Sequence, residues 1–109
     1  MADILKVKKL DTFNNFVNDN ENVVVKFSAM WCGPCRTMTN VIANLNDDVL
    51  ANVSFLEIDV DEDDFADMIT DLGIRNLPTF IFYKNSEVKD RKVGILQAPE
   101  MIEFIKNNL

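Results

Sequence analysis

The only two cysteines of this chain, Cys32 and Cys35, are separated by Gly33 and Pro34 and preceded by Trp31. A strongly apolar segment comes before this run, and an amphipathic segment follows it. Two cysteines with this spacing at a strand-to-helix junction are typical of a dithiol–disulfide redox site. In such a site one thiolate attacks a foreign disulfide, and the second cysteine resolves the mixed disulfide that forms.

The position of a predicted helix suggests which cysteine has which role. Pro34 suits the first turn of a helix, so Cys32 is expected just before that turn. Unpaired backbone N–H groups and the positive end of the helix dipole then face its sulfur and favour the thiolate. Because such a terminus contributes only roughly 0.3–1 kcal/mol, neighbouring groups must supply the rest. Cys35 is expected inside the helix, on the same face as Cys32.

Three less reactive arrangements of the two cysteines are alternatives to the redox site. A structural disulfide between Cys32 and Cys35 would close a very short loop and stabilise little, because the entropic gain grows with loop length. Structural zinc needs four ligands, whereas the chain has no histidine and no second cysteine pair, so no metal site is predicted. Two inert buried thiols remain possible, but Pro34 argues against that coincidence. The redox site is therefore favoured.

Composition limits the class of protein. A chain of 109 residues with 48% hydrophobic residues is expected to form one globular domain, 1–109. The net charge of −7 disfavours nucleic acid and anionic membranes as partners. The first residues show no long apolar leader region, and no segment approaches the length of a membrane-spanning helix. We therefore expect a cytoplasmic location, where a cysteine pair is more often catalytic than structural.

The spacing of apolar residues predicts alternating strands and helices. Strands are predicted at 4–7, 23–29, 53–60, 79–83 and 88–94. Helices are predicted at 11–17, at 34 to about 49, at 63–72 and at 99–109, and Asp11 or Thr12 is expected to cap the first of them. The first strand is expected at an edge of the sheet and the second at its centre, while the last two strands form a hairpin around 84–87. This order predicts an α/β domain of three layers, α/β/α, with a mixed sheet.

Three sequence motifs occur in order, with the expected elements between them. They are WCGPCR at 31–36, LPT at 77–79 after GIR at 73–75, and KVG at 92–94. Together with the segments 27–29 and 55–61, they make the whole chain resemble the thioredoxin family, in particular its eukaryotic members. The resemblance implies a five-stranded mixed sheet of order 1-3-2-4-5, with two helices on each face. It also implies reversible dithiol–disulfide exchange, recharged by a reductase.

The resemblance implies roles for individual residues. Cys32 would be the attacking thiol and Cys35 the resolving thiol, in a site modulated by Trp31, Gly33 and Pro34. Pro78 would be cis and lie across the disulfide, with the backbone of Leu77 offered to a bound peptide. The apolar docking surface would consist of Trp31, Val60, Leu77, Pro78, Val93, Gly94 and Ile95.

The resemblance further implies how electrons would reach and leave this chain. No bound cofactor is implied beyond the redox-active disulfide. Electrons would come indirectly from NADPH through thioredoxin reductase. They would pass, from a monomer, to disulfide-containing substrate proteins of the peroxiredoxin or reductase type.

Lys26 departs from the family pattern, which usually has a buried Asp at this position, and many members have a Lys where this chain has Glu57. An unpaired ammonium in an apolar strand is unfavourable, so we predict an ion pair between Lys26 and Glu57 across neighbouring parallel strands. The alternative is that the long Lys26 side chain reaches solvent. A cation beneath the cysteines would favour the thiolate and make the disulfide more oxidising, so both residues are predicted to modulate the site.

Three functions remain open from the sequence. The first is a general protein-disulfide reductase that uses Cys32 and Cys35. The second is a binding or scaffold module that keeps the docking surface but turns over poorly because of Lys26. The third is a dedicated oxidant or isomerase with an altered potential. The intact cysteine pair favours the first or the third.

Overall fold

A computed structural model describes residues 2–109, and its centre is a sheet of five strands. The strands are β1 Ile4–Val7, β2 Asn22–Ser28, β3 Ser54–Asp59, β4 Thr79–Lys84 and β5 Glu87–Val93. Their order is β1-β3-β2-β4-β5. β3 runs parallel to both β1 and β2, whereas β4 is antiparallel to β2 and β5. The predicted strand order and mixed sheet are confirmed, with β1 at an edge and β2 at the centre.

Helices cover both faces of this sheet. They are α1 Leu10–Asp19, α2 Gly33–Ala43, α3 Ala66–Leu72 and α4 Ala98–Asn108. One core packs side chains of α2 and α4 against the sheet, and a second core packs α1 and α3 against the opposite face. The predicted three layers, with two helices on each face, are therefore confirmed.

The central strand β2 is buried on both sides. Val23, Val25 and Phe27 belong to the core beneath α1 and α3, and all are 0% exposed. Val24 belongs to the opposite core, and Lys26 lies on that same face because side chains alternate along a strand. Burial on both faces explains why this segment is nearly all apolar. Lys26 is the one charged residue of this buried strand, so its ammonium needs a polar partner.

The predicted helix from 34 to about 49 is wrong in its second half. α2 ends at Ala43. The side-chain amide of Asn44 donates to the Asn40 carbonyl oxygen at 2.8 Å. The Asp47 carboxylate then accepts from the Val49 N–H at 2.9 Å and begins a short 3₁₀ segment, Asp48–Asn52. Local side-chain bonds to the backbone compete with the helix here, which the apolar spacing did not reveal.

The predicted helix at 63–72 is also divided in the structure. A short 3₁₀ segment, Asp63–Phe65, comes first, and the regular helix α3 follows it. Gly73 ends α3 with φ 64°, in the left-handed region where glycine is favoured.

The predicted cap of the first helix is wrong. α1 begins at Leu10, after Lys9, and neither Asp11 nor Thr12 precedes it. Instead, the carboxylate of Asp64 accepts from the Leu10 N–H at 2.5 Å. The cap comes from a residue far along the chain, so local sequence could not identify it.

Candidate active site

The cysteine pair lies at the carboxyl end of β2, where the chain turns into α2. Cys32 is the residue immediately before α2, as predicted, and its sulfur accepts from the Cys35 N–H at 3.2 Å. The two residues form a disulfide, with their Cα atoms 5.3 Å apart. The first turn of α2 therefore directs the Cys35 backbone N–H at the Cys32 sulfur, an arrangement that stabilises negative charge on this sulfur after reduction.

Both cysteines are covered by neighbouring apolar groups. Cys32 is 5% exposed and Cys35 is 1% exposed. They pack with Ala29 and with the partly buried side chains of Val60 and Leu77. Cys32 is thus slightly more accessible than Cys35, and its role as the attacking residue remains a prediction.

A groove of about 530 Å³ opens beside Cys32. Trp31, Val60 and Leu77 from the predicted docking surface line it, together with Gly33 and Pro34. The structure thus brings residues of three separate segments to one opening next to the sulfur.

Val93, Gly94 and Ile95 do not line this groove. Val93 is the last residue of β5, and the other two follow it. The Gly94 N–H donates to the Pro78 carbonyl oxygen at 2.8 Å. Val93 is 51% exposed and Ile95 is 52% exposed. Gly94 has φ 94°, a left-handed backbone conformation that favours glycine. Val93 and Ile95 therefore form a second exposed edge, and the half-buried Gly94 between them is bonded to the backbone of Pro78.

The peptide bond between Leu77 and Pro78 is cis, as the family resemblance implies. Pro78 is buried, whereas Leu77 is partly buried and lines the groove. Leu77 thus packs beside the cysteines, and Pro78 follows it in the chain. The position of Pro78 across the disulfide remains a prediction. The roles of both residues in peptide binding also remain predictions.

Four further residues line the groove that the sequence reasoning did not name as part of the site. They are Ile69, Ile74, Arg75 and Asn76. The last three directly precede Leu77, so adjacency to the proline motif was an available signal. Ile69 lies in α3, and only the packing of that helix places it here.

Trp31 is held at the rim of the groove by a distant carboxylate. Its side chain is 69% exposed, and its indole Nε1 donates to Asp61 Oδ2 at 2.9 Å. On the other side of the site, the guanidinium of Arg36 donates to the Met30 carbonyl oxygen at 3.0 Å. These contacts fix both flanks of the cysteine loop, and the sequence reasoning found neither of them.

Gly33 shows no steric need for glycine. A Cβ added there would lie 3.8 Å from an Arg36 side-chain nitrogen, which is an ordinary van der Waals contact. Pro34 occupies the first turn of α2, where its missing N–H leaves no intrahelical bond unmade. Pro34 therefore has a structural role in the site, whereas packing does not explain Gly33.

The predicted ion pair between Lys26 and Glu57 is confirmed. The two residues are direct neighbours across the parallel strands β2 and β3, and Lys26 Nζ lies 2.8 Å from Glu57 Oε1. Lys26 is 1% exposed, so the alternative in which its ammonium reaches solvent is wrong. Whether the pair modulates the cysteines remains a prediction.

Thr39 connects this pair to the active-site helix. Its hydroxyl lies 2.5 Å from Lys26 Nζ and 3.1 Å from the carbonyl oxygen of Cys35. The sequence reasoning missed Thr39, although its position four residues after Cys35 in a predicted helix was an available signal.

Neither a metal-binding cluster nor a membrane-spanning helix occurs in the described part of the chain. Among residues 2–109, no group of three or more His, Cys, Asp or Glu side chains is arranged to hold a metal ion. None of the helices within the same range has the length and apolar character needed to cross a membrane.

Comparison with known proteins decides the family. The family model described as thioredoxin matches residues 4–107. The chain belongs to the thioredoxin family. The thioredoxin of Rickettsia bellii (strain RML369-C) is 40% identical over 87 residues, which are 80% of this chain and 81% of that protein.

Solved structures agree with this assignment. The crystal structure of Malassezia sympodialis thioredoxin superposes with a TM-score of 0.82 and 29% identity, over 98% of this chain and 91% of that one. A chain from a study of the thiol resolving mechanism of yeast mitochondrial 1-Cys peroxiredoxin gives a TM-score of 0.80 at 28% identity, over 95% and 94%. With its Cys32–Cys35 disulfide, this thioredoxin-family chain is a dithiol–disulfide oxidoreductase.

Proposed function

We propose that this protein is a general protein-disulfide reductase that maintains thiol balance in the cytoplasm. The observation that carries the proposal is the Cys32–Cys35 pair at the start of α2, beside a largely apolar groove. The groove accommodates an extended peptide segment next to Cys32. The helix terminus favours the thiolate that begins the exchange.

The reaction proceeds by two thiol–disulfide exchanges. The Cys32 thiolate attacks one sulfur of the substrate disulfide, which breaks that bond and releases the first substrate thiolate. Cys35, as a thiolate, then attacks the Cys32 sulfur and releases the second. Two electrons thereby pass to the substrate. The two released thiolates take up the two protons that the cysteines lose. This chain is left with the Cys32–Cys35 disulfide.

We further propose that thioredoxin reductase restores the dithiol with electrons from NADPH, which gives the protein its place in electron transport. Substrates would be disulfide-containing proteins of the peroxiredoxin or reductase type. The yeast neighbour that concerns a 1-Cys peroxiredoxin supports that substrate class. The net charge of −7 supports a monomer that binds neither nucleic acid nor membrane surfaces.

Insulin reduction tests the proposed direction of electron flow. The purified protein should accelerate insulin precipitation by dithiothreitol, and it should consume NADPH when thioredoxin reductase is present. The Cys35→Ser variant should instead accumulate a mixed disulfide that mass spectrometry detects. A wild-type rate equal to that of dithiothreitol alone would refute the reductase proposal.

The buried Lys26 supports a second candidate, a dedicated oxidant or isomerase. A cation under the cysteines stabilises the reduced form and so makes the disulfide a stronger oxidant. This candidate predicts that the oxidised protein refolds a reduced, unfolded substrate faster than the reduced protein reduces insulin. The ratio of these two rates in one buffer distinguishes the candidates.

A further inference from the structure

A buried charge lies beneath the active site, and the exchange reaction described above does not use it. Lys26 is 1% exposed and lies on the α2 side of the sheet. Glu57, its partner, is shared with Lys6 of β1, whose Nζ is 3.8 Å from Glu57 Oε2. Two lysines therefore face one carboxylate along this row of the sheet, and the row has a net positive charge.

The hydrogen bonds of Thr39 have one possible direction. An ammonium only donates, so Lys26 Nζ donates to the Thr39 hydroxyl oxygen at 2.5 Å. The single Thr39 proton is then free to be donated to the Cys35 carbonyl oxygen at 3.1 Å. The positive charge of Lys26 is thus linked, through one hydroxyl, to the peptide group of the resolving cysteine.

We propose that Thr39 is a positioning residue for the dithiol–disulfide exchange: it holds the buried Lys26 ammonium against the first turns of α2, where this charge stabilises the reduced site. The proposal rests on the exchange activity itself and not on the direction of electron flow in the cell. Reduction replaces the disulfide by a thiol and a thiolate or by two thiols, and a nearby cation favours the forms that carry thiolate.

Glu57 competes with Thr39 for the Lys26 ammonium and attracts it towards the sheet. Its carboxylate is 14% exposed and belongs to β3, whereas Thr39 belongs to α2, the helix that contains Cys35. Without the Thr39 hydroxyl, Lys26 would keep Glu57 as its hydrogen-bond partner. Glu57 would then hold the Lys26 ammonium against β3, farther from α2.

The test is the equilibrium between this protein and glutathione. The equilibrium constant is the concentration of reduced protein times that of glutathione disulfide, divided by the concentration of oxidised protein times the square of the glutathione concentration. Thr39→Val, which removes the hydroxyl and nearly keeps the shape, should lower this constant about threefold, or about 14 mV for this two-electron couple. Thr39→Ser should return it to the wild-type value. Because Thr39 is exposed, neither change should disturb the core.

A matched control lies on the same helix. Thr37 is also exposed, and Thr37→Val should leave the constant unchanged. The rate of Cys32 alkylation by iodoacetamide at pH 7 should follow the same order, slower in Thr39→Val and unchanged in Thr37→Val.

Lys26→Met gives the larger effect if the variant folds, which circular dichroism establishes first. The constant should fall about tenfold, or about 30 mV. Equal constants for wild type and Thr39→Val, or a higher constant in Thr39→Val, would overturn the proposal. A protein that fails to reduce insulin but shows the expected shifts would refute the reductase function and support this inference.

Discussion

Two openings lie at opposite ends of the sheet, and they differ in chemistry more than in size. The groove of about 530 Å³ at the carboxyl end of β2 contains Cys32, Trp31 and Arg75. A second groove, of about 360 Å³, lies where β1 and β3 begin and is lined mainly by Ile4, Leu5 and other apolar residues. Both are open and partly apolar, so shape alone does not identify the reactive one.

The direction of the backbone separates the two openings. β2 and β3 both end at the reactive groove, and α2 starts there with its N-terminus beside Cys32. The carboxyl ends of parallel strands and the N-termini of the following helices meet at such an edge, where backbone N–H groups are left to stabilise an anion. The other end has no such helix start beside a thiol, so we expect it to be chemically silent.

The largest difference between the two grooves is expected when the attacking sulfur is removed. Cys32→Ser should reduce insulin turnover to the rate of dithiothreitol alone, because a serine hydroxyl does not form a disulfide. The second groove offers the matched change Leu5→Ser, at a side chain that is 49% exposed. We expect its turnover to equal that of the wild type, and a comparable loss in Leu5→Ser would show that the second groove takes part in the reaction.

A smaller effect is expected from the rim of the reactive groove. Trp31→Ala removes a large, 69% exposed ring that Asp61 holds in place. Aromatic residues of this kind often dominate binding, so kcat/KM for a protein substrate should fall about tenfold, or about 1.4 kcal/mol. Reduction of a small disulfide such as oxidised glutathione should change little. Equal losses for both substrates would indicate that Trp31 acts on the cysteines and not on docking.

Variants of Asp61 test whether its hydrogen bond to Trp31 supports substrate docking. Asp61→Asn keeps an acceptor for the indole N–H, whereas Asp61→Ala removes it. We expect Asp61→Ala to lower kcat/KM for a protein substrate by about threefold, in the direction of Trp31→Ala, and Asp61→Asn to lower it less. Equal activity in Asp61→Ala and wild type would show that the ring needs no such support.

The smallest effect is expected from a charged contact outside both grooves. The side-chain hydrogen bond from Asn108 holds the pKa of Asp90 below its usual value, and burial opposes this shift. The carboxylate therefore stabilises the fold above its ordinary pKa of 3.8, and this contribution is lost as the pH falls through the lowered value. Because Asp90 is only partly buried, solvent screens the interaction and the gain should stay below about 1 kcal/mol.

Asp90→Asn tests that contribution. Urea unfolding should show a slightly less stable variant at pH 7 and no difference from wild type at a pH where Asp90 is protonated. A difference that stays constant across this range would assign the effect to packing instead of charge.

Much of the site follows from residue types that are adjacent in the chain. The short spacing of Cys32 and Cys35 and the helix-starting preference of Pro34 predicted the redox pair and the position of Cys32 before α2. Burial of a charge requires a partner, and this rule correctly paired Lys26 with Glu57 once the strands were placed side by side. That placement came from the resemblance to thioredoxins, and the structure confirms it.

Contacts between groups that are distant in the chain depend on how the elements pack. Asp64 caps α1, Asp61 holds Trp31, and Thr39 completes the contacts of Lys26. Periodicity and propensity describe which face of an element is buried, but a hydrogen bond across segments depends on the register and distance that packing sets. Residue types and their spacing therefore predicted the reactive pair and the layers that hold it. The groove and the charge beneath it exist only because packing brings separate segments within contact distance.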